Sequence, residues 1–216
     1  LEHGVEPSEI LVLTFSNKAA NELRERISEK ASDAAALLWI GTFHAFGLDI
    51  VHRFHQILGL SENPTVVSRY EAIEWLEGEL ARLKLKHYRN YYDPTLTLSD
   101  ILSAISRAKD EVVDAASYTA LSKAMLEKAQ DDQELAQAEK CLEVSSVYQC
   151  YERLLKERDA VDFGDLVKLP VELVESNEDV RSALSKRHKH ILVDEYQDVN
   201  RASVRLIKAI AETGEN

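Results

Sequence analysis

An apolar run that stops abruptly at two carboxylates constrains this chain more than any other feature of its sequence. Residues 191–193 read Ile-Leu-Val, and Asp194 and Glu195 follow directly. Such residues favour a β-strand, and the carboxyl ends of strands in an open parallel sheet face the ligand crevice. The pattern predicts a buried strand that holds a rigid carboxylate pair where a nucleotide binds.

The two carboxylates suit metal-assisted phosphoryl transfer. Asp194 would hold Mg²⁺, and Glu195 would orient and deprotonate the attacking water. By itself the dipeptide would favour an ordinary turn, because turns after strands are rich in carboxylates. The continuation Tyr196-Gln197-Asp198 separates the two interpretations, since it extends the pair into a longer motif.

The rest of the chain changes from sheet-type to helix-type patterns and back. Residues 10–15 are an unbroken apolar run typical of a buried strand, and Ser16 can cap the helix that follows. A second buried strand is predicted over residues 37–43. From residue 69 to about 158 the periodicity is helical. The predicted fold class is therefore α/β, a partial parallel sheet with a large all-helical insertion.

The balance of charge limits the kinds of partner that the chain can bind. A formal net charge of −12 argues against a protein that coats nucleic acid non-specifically. Any contact with DNA must therefore be local. No apolar run approaches the length of a membrane span, so we expect a soluble, cytoplasmic protein without a membrane partner.

Four segments resemble motifs of the UvrD/Rep-type superfamily 1 DNA helicases, in that family's order. Residues 10–27 (ILVLTFSNKAANELRERI) are similar to motif Ia, and residues 39–48 (WIGTFHAFGL) are similar to motif Ib. Residues 161–166 (VDFGDL) resemble the segment that precedes motif II, and residues 191–198 (ILVDEYQD) resemble motif II, the Walker B box. Residues 62–155 match only loosely. The resemblance implies a partial RecA-like sheet of the P-loop NTPase type.

The same resemblance implies how the chain is divided. Residues 1–61 would be the first part of RecA-like domain 1A, residues 62–158 the helical insertion 1B, and residues 159–216 the second part of 1A. The phosphate-binding Gly-x-x-x-x-Gly-Lys-Ser/Thr loop is absent, since none of the seven glycines precedes a lysine. We therefore expect the chain to be part of a larger motor and to be inactive as an ATPase by itself.

The resemblance also implies roles for particular residues. Glu195 would be the catalytic base, Asp194 would bind the magnesium ion of the nucleotide through water, and Gln197 would lie near the γ-phosphate. Asp198 would cap the helix that begins near Asn200. The loops of motifs Ia and Ib would contact single-stranded DNA through Thr14, Phe15, Ser16, Asn17, Lys18, Thr42 and His44.

The implied function is an ATP-dependent DNA helicase or translocase in the full-length protein. It would use ATP and Mg²⁺, move on single-stranded DNA and open duplex junctions. The sequence does not separate a stand-alone repair helicase from the motor of an AddA- or RecB-like helicase–nuclease. A degenerate motor that binds DNA or protein is the alternative, because the acidic helical stretch at residues 110–143 would suit a protein partner.

Overall fold

The computed structural model describes residues 5–90 and 92–211, and the side chain of Asp198 lies outside the described part. The chain divides into two compact units. The sheet unit consists of residues 1–59 and 166–216, and the helical unit consists of residues 60–165. In sequence, the helical unit is therefore an insertion in the sheet unit.

The secondary structure of the described residues is mainly helical, and the strands have only two to five residues each. None of the described helices is both long and apolar enough to cross a bilayer. In chain order the elements are β1 (Ile10–Thr14), α1 (Asn17–Lys30), α2 (Ser32–Leu37), β2 (Trp39–Thr42), α3 (Phe43–Arg53), α4 (His55–Leu58), β3 (Thr65–Val66), α5 (Arg69–Glu77), α6 (Leu80–Leu83), α7 (Pro94–Asp110), α8 (Ala115–Lys128), α9 (Asp132–Glu157), β4 (Ala160–Val161), α10 (Asp165–Ser176), α11 (Glu178–Arg187), β5 (His190–Val193) and α12 (Arg201–Ala211).

A three-stranded parallel sheet in the order β2-β1-β5 forms the centre of the sheet unit. The central strand β1 aligns Thr14 with Thr42 of β2, and it aligns Leu13 with Val193 of β5. Leu11 and Leu13 of β1 point to the same face of the sheet, and both are fully buried. The α/β class with a parallel sheet that the sequence predicts is therefore present.

The prediction of a buried strand before Asp194 is wrong. Among the described residues β5 pairs only with β1, so it is an edge strand. Its side chains alternate between half-buried and exposed, and Leu192 is 57% exposed. Three consecutive apolar residues suggest burial on both faces, whereas here only one edge and part of one face are covered.

Two element boundaries differ from those that the sequence predicts. The second strand is predicted over residues 37–43, but Leu37 ends α2 and is exposed, so β2 begins at Trp39. Phe43 already belongs to α3, although its side chain is buried in the core. Thr42 caps α3, and this cap ends the strand one residue early.

The helical unit has its own apolar core, formed mainly by α5, α7 and α9. Its largest fully buried side chains include Leu76, Ile101, Ile105, Tyr148 and Tyr151. The sequence does not predict the two-residue parallel ribbon of β3 and β4, in which Thr65 aligns with Ala160 and Val66 with Val161. This ribbon joins the first and last segments of the unit.

A buried lysine links α7 to the last residues of the helical unit. The ammonium of Lys109 lies 2.8 Å from Asp165 Oδ1, 2.9 Å from Asp162 Oδ2 and 3.6 Å from Glu152 Oε1. Its Nζ atom also lies 5.2 Å from the centre of the Tyr151 ring. The two aspartates exchange hydrogen bonds, since the amide of each donates to the carboxylate of the other.

The protonation equilibria of this cluster follow from burial and charge. Burial by itself would lower the pKa of Lys109, but three carboxylates outweigh it and raise the pKa. Burial raises the pKa of Asp165 to about 6, against the opposing effect of the Lys109 ammonium. One cation therefore offsets only part of the negative charge of three neighbouring carboxylates.

We expect replacement of Lys109 by methionine to lower the free energy of unfolding by about 3–5 kcal/mol, because buried carboxylates would lose their cation. Urea denaturation of the 216-residue chain measures this change. Lys123→Met is the control, since Lys123 is an exposed residue of α8 and should change stability by less than about 0.5 kcal/mol. Equal losses for the two variants would contradict the assigned role of Lys109.

Candidate functional site

The three motifs meet at one edge of the sheet. Thr14 ends β1, Thr42 ends β2, and the two residues are aligned in register. Asp194 follows β5, and its amide donates to the carbonyl of Leu13 over 2.9 Å. Adjacent strands are about 4.8 Å apart, so the three backbone positions lie within roughly 10 Å of one another.

Hydrogen bonds shape the motif Ia loop. Thr14 is fully buried, and its hydroxyl donates to the carbonyl of Ser16 over 2.9 Å. The Ser16 hydroxyl accepts from the amide of Ala19 over 3.2 Å and caps α1. Phe15, between the two, is turned outward and is 62% exposed. The hydrogen bonds of Thr14 and Ser16 thus fix the backbone so that the Phe15 ring is exposed to solvent at the edge where the strands end.

The first turn of α1 presents a cation beside that ring. The Lys18 side chain is 87% exposed, and its ammonium is 3.9 Å from Glu22, a distance typical of a weak surface pair. Asn17 is also exposed. The amino end of a helix carries partial positive charge and unpaired amides, so this turn suits a phosphate.

Motif Ib has the same organisation. Thr42 is buried, and its hydroxyl accepts from the amide of Ala45 over 3.2 Å, which caps α3. His44 is exposed on the first turn of α3, while Phe43 enters the core. A capping threonine therefore again places an exposed side chain at the edge where the strands end.

The sequence reasoning did not single out Gly47, which allows α3 to pack closely. A Cβ atom at this position would lie 1.5 Å from the carbonyl oxygen of Leu166, in the first turn of α10. Any side chain would force the two helices apart. Glycine inside a helix is the signal that could have identified this contact, because it costs helical stability unless a close approach requires it.

Motif II contains a strained residue. Glu195 has φ 51° and ψ 48°, the left-handed region, which costs a residue with a Cβ about 1–2 kcal/mol. The turn Tyr196–Asp198 follows it, and Asp194, Glu195 and Gln197 are all exposed. Strain of this kind concentrates at functional sites, where a side chain must have one particular direction.

Asp194 can serve as a magnesium ligand in the manner typical of nucleotide enzymes. The described residues contain no group of three or more His, Cys, Asp or Glu side chains that could enclose a metal. Magnesium bound with a nucleotide needs only one or two carboxylates, because phosphates and water complete its shell. A single exposed carboxylate at the end of a strand fits that requirement.

The helix after motif II begins close to the predicted position, and the residue that caps it is Asn200. Asn200 caps α12, since its Oδ1 accepts from the amide of Ser203 over 2.9 Å. The side chain of Asp198, for which a capping role is predicted, lies outside the described part of the chain. The sequence signal for Asn200 was present, because asparagine is among the preferred residues at this position.

The strain at Glu195 predicts an effect on stability that is separate from chemistry. Glu195→Gly should raise the free energy of unfolding by about 1 kcal/mol, because glycine adopts the left-handed region without penalty. Glu195→Gln should leave it unchanged. Urea denaturation of the 216-residue chain measures both. The control is Glu25→Gly in the exposed interior of α1. This substitution should lower the free energy of unfolding by about 1 kcal/mol. A loss at both sites would show that Glu195 is not strained.

Known proteins resemble the chain over its whole length. The family model described as the UvrD/REP helicase N-terminal domain matches residues 1–216. The ATP-dependent DNA helicase PcrA of Leuconostoc citreum is 34% identical over 216 residues, which cover 99% of this chain and 26% of that protein. The PcrA helicases of Bacillus subtilis and Staphylococcus aureus are each 29% identical over 215 residues, which cover 100% of this chain and 26% and 27% of those proteins.

The chain thus spans about a quarter of the length of these relatives. The family match covers all four motif-like segments and the helical residues between them. By this match, the chain belongs to the UvrD/REP helicase N-terminal domain family.

Proposed function

We propose that this chain forms the first motor segment of an ATP-dependent DNA helicase, which couples ATP hydrolysis to movement on single-stranded DNA. The observation that carries the proposal is the strained Glu195 beside Asp194, at the sheet edge that also presents Phe15 and His44. Nucleotide chemistry and strand contact would then share one rigid edge. The PcrA helicases among the relatives support this assignment.

In this proposal the sheet unit is part of the RecA-like domain 1A, and the helical unit is the 1B insertion. The compact units divide after Gly59 and after Asp165, whereas the resemblance predicts divisions after residues 61 and 158. The second difference has a physical cause. Residues 159–165 pair through β4 and bind Lys109, so they pack with the helical unit.

Each motif II residue has a distinct part in hydrolysis. Asp194 would hold the Mg²⁺ of the bound nucleotide, whose charge offsets that of the phosphate oxygens. Glu195 orients the attacking water and accepts its proton. Gln197, two residues further along the exposed turn, senses the γ-phosphate and couples the nucleotide state to a neighbouring domain. The 216 residues do not contain the Gly-x-x-x-x-Gly-Lys-Ser/Thr motif that binds phosphates.

The DNA-contacting surface is divided between exposed residues and residues that position them. Phe15 offers a face for stacking on a base, while Asn17, Lys18 and His44 offer polar contacts to the strand. Ser16 contributes its exposed backbone and cap. The buried Thr14 and Thr42 act by fixing the loops, since their hydroxyls are engaged with the backbone.

A motor-derived binding module is the second candidate. The stretch from residue 110 to 143 is rich in carboxylates and helical, and acidic helices suit a protein partner better than DNA. The intact pair Asp194-Glu195 favours the enzyme, because a scaffold without hydrolysis needs neither a magnesium ligand nor a base at this position. A motor within an AddA- or RecB-like helicase–nuclease is compatible with the same residues.

We expect the full-length protein to hydrolyse ATP faster when single-stranded DNA is added. Glu195→Gln should lower kcat at least about 100-fold, because it removes the proton acceptor. Steady-state ATPase assays with and without oligothymidine measure this effect, and DNA binding should survive the substitution. Glu25→Gln on the exposed face of α1 is the control and should retain full activity.

One result would contradict the enzyme proposal, and another would contradict the predicted inactivity of the 216-residue chain. Absence of hydrolysis by both the wild-type and the variant full-length proteins would favour the binding module. Magnesium-dependent turnover by the purified 216-residue chain, lost in Glu195→Gln, would refute its predicted inactivity by itself.

Lys18 and Lys30 provide a matched pair for the DNA contact, because they lie at opposite ends of α1 and both are exposed. Lys18→Ala should weaken binding of oligothymidine. It should also reduce the slope of log K against the logarithm of the salt concentration by about one. Lys30→Ala should change neither. Fluorescence anisotropy at several salt concentrations measures both, and equal affinity at low and high salt would exclude a phosphate contact.

A further inference from the structure

A second concave surface lies at the opposite edge of the sheet, where the strands begin. It is a cavity of about 500 Å³ lined by residues at or just before the starts of β1, β2 and β5, among them Glu9, Leu37, Trp39, Lys186, Arg187 and His188. The volume is within the range of ligand sites in proteins. Five residues of β1 separate this amino edge from the motif loops, a distance of about 16 Å.

His188 is the one lining residue that is both buried and polar. Its Nδ1 atom makes no hydrogen bond with any described residue, although the side chain is almost completely buried. Phe46 packs edge-on against the ring at 5.4 Å and fixes its plane. Burial lowers the pKa of His188 to about 4, with further contributions from Arg187 and Arg53. The ring is thus neutral at pH 7, and an unmet hydrogen bond at a cavity wall is costly unless something else satisfies it.

The rest of the wall has one cationic side and one apolar side. Lys186 and Arg187 are exposed, and neither forms an ion pair within the described part of the chain. The neighbouring Lys189 is different, because its ammonium is paired with Glu9. The two unpaired cations therefore give this edge local positive charge in a chain whose net charge is −12.

The apolar side is held in a fixed shape. The Trp39 ring lies over Gly41, where a Cβ atom would come within 2.8 Å of it, and it packs edge-on against Phe46 at 5.1 Å. Leu37, next to it, is 59% exposed. A large exposed leucine beside a rigid ring forms a surface that an apolar side chain can cover.

We propose that this cavity binds an acidic peptide segment of a partner protein, with a carboxylate against Lys186 and Arg187 and an apolar side chain against Leu37 and Trp39. The positive charge of Lys186 and Arg187 favours an acidic ligand, and the exposed Leu37 favours an apolar side chain next to the acidic residue of that ligand. Nucleic acid fits less well, because two cations neutralise few phosphates. The site leaves the motif loops at the other edge open.

Fluorescence anisotropy of a labelled, capped Glu-Leu-Asp-Leu peptide tests the proposal, with Gln-Leu-Asn-Leu as the uncharged control peptide and short oligothymidine as a third ligand. The 216-residue chain and the full-length protein should both bind the acidic peptide saturably and at least about tenfold more tightly than the uncharged one. The paired substitution Lys186→Gln/Arg187→Gln should weaken binding about tenfold, as should Leu37→Glu. Lys123→Gln/Lys128→Gln on α8 is the matched control and should leave binding unchanged.

Tryptophan emission identifies where the peptide binds. The chain has two tryptophans, and Trp75 lies in the helical unit beneath the Arg158 guanidinium. In a Trp75→Phe background, the acidic peptide should change the emission of Trp39. The proposal is overturned by equal binding of the two peptides, by preference for oligothymidine, or by binding to the 216-residue chain that is absent in the full-length protein. ATPase activity plays no part in these measurements, so they succeed or fail independently of the proposed motor function.

Discussion

The parallel pairing of β1 with β2 and β5 is the interaction on which the candidate site depends. Each of these strands ends in a different motif, and the motifs are far apart in sequence. Because all three strands run in one direction, their carboxyl ends meet at one edge and their amino ends at the other. The same pairing therefore creates two separate surfaces, one with the strained Glu195 and the motif loops, and one with the His188 cavity.

The helical unit depends on a different kind of interaction. Its apolar core could tolerate many arrangements of helices, but the Lys109 cluster and the β3–β4 ribbon are specific. Both involve residues 159–165, which the sequence pattern assigns to the sheet domain. The cluster and the ribbon thus decide on which side of the unit boundary this connection packs. Removal of one partner from such a buried cluster is costly, because it leaves an uncompensated charge.

Much of the site could be predicted from local sequence, because its geometry is local. The caps at Ser16 and Thr42 are recognisable from residue type and position, and they decide that Phe15 and His44 face solvent. The burial of the two threonines could not be predicted from the sequence, because a hydroxyl at the end of a strand can point either to the backbone or outward. Gly47 and His188 were also missed, because their partners Leu166 and Phe46 lie elsewhere in the chain.

The sequence by itself determined the α/β class, the helical insertion, the motif residues and the family, because these depend on periodicity, capping residues and short motifs. The tertiary structure decided that β5 is an edge strand within the described part of the chain, that Lys109 pairs with two aspartates, and that Glu195 adopts a left-handed conformation. Each of these depends on which distant segments pack together. Pairing partners and buried charge balance are properties of the whole fold, and no local pattern encodes them.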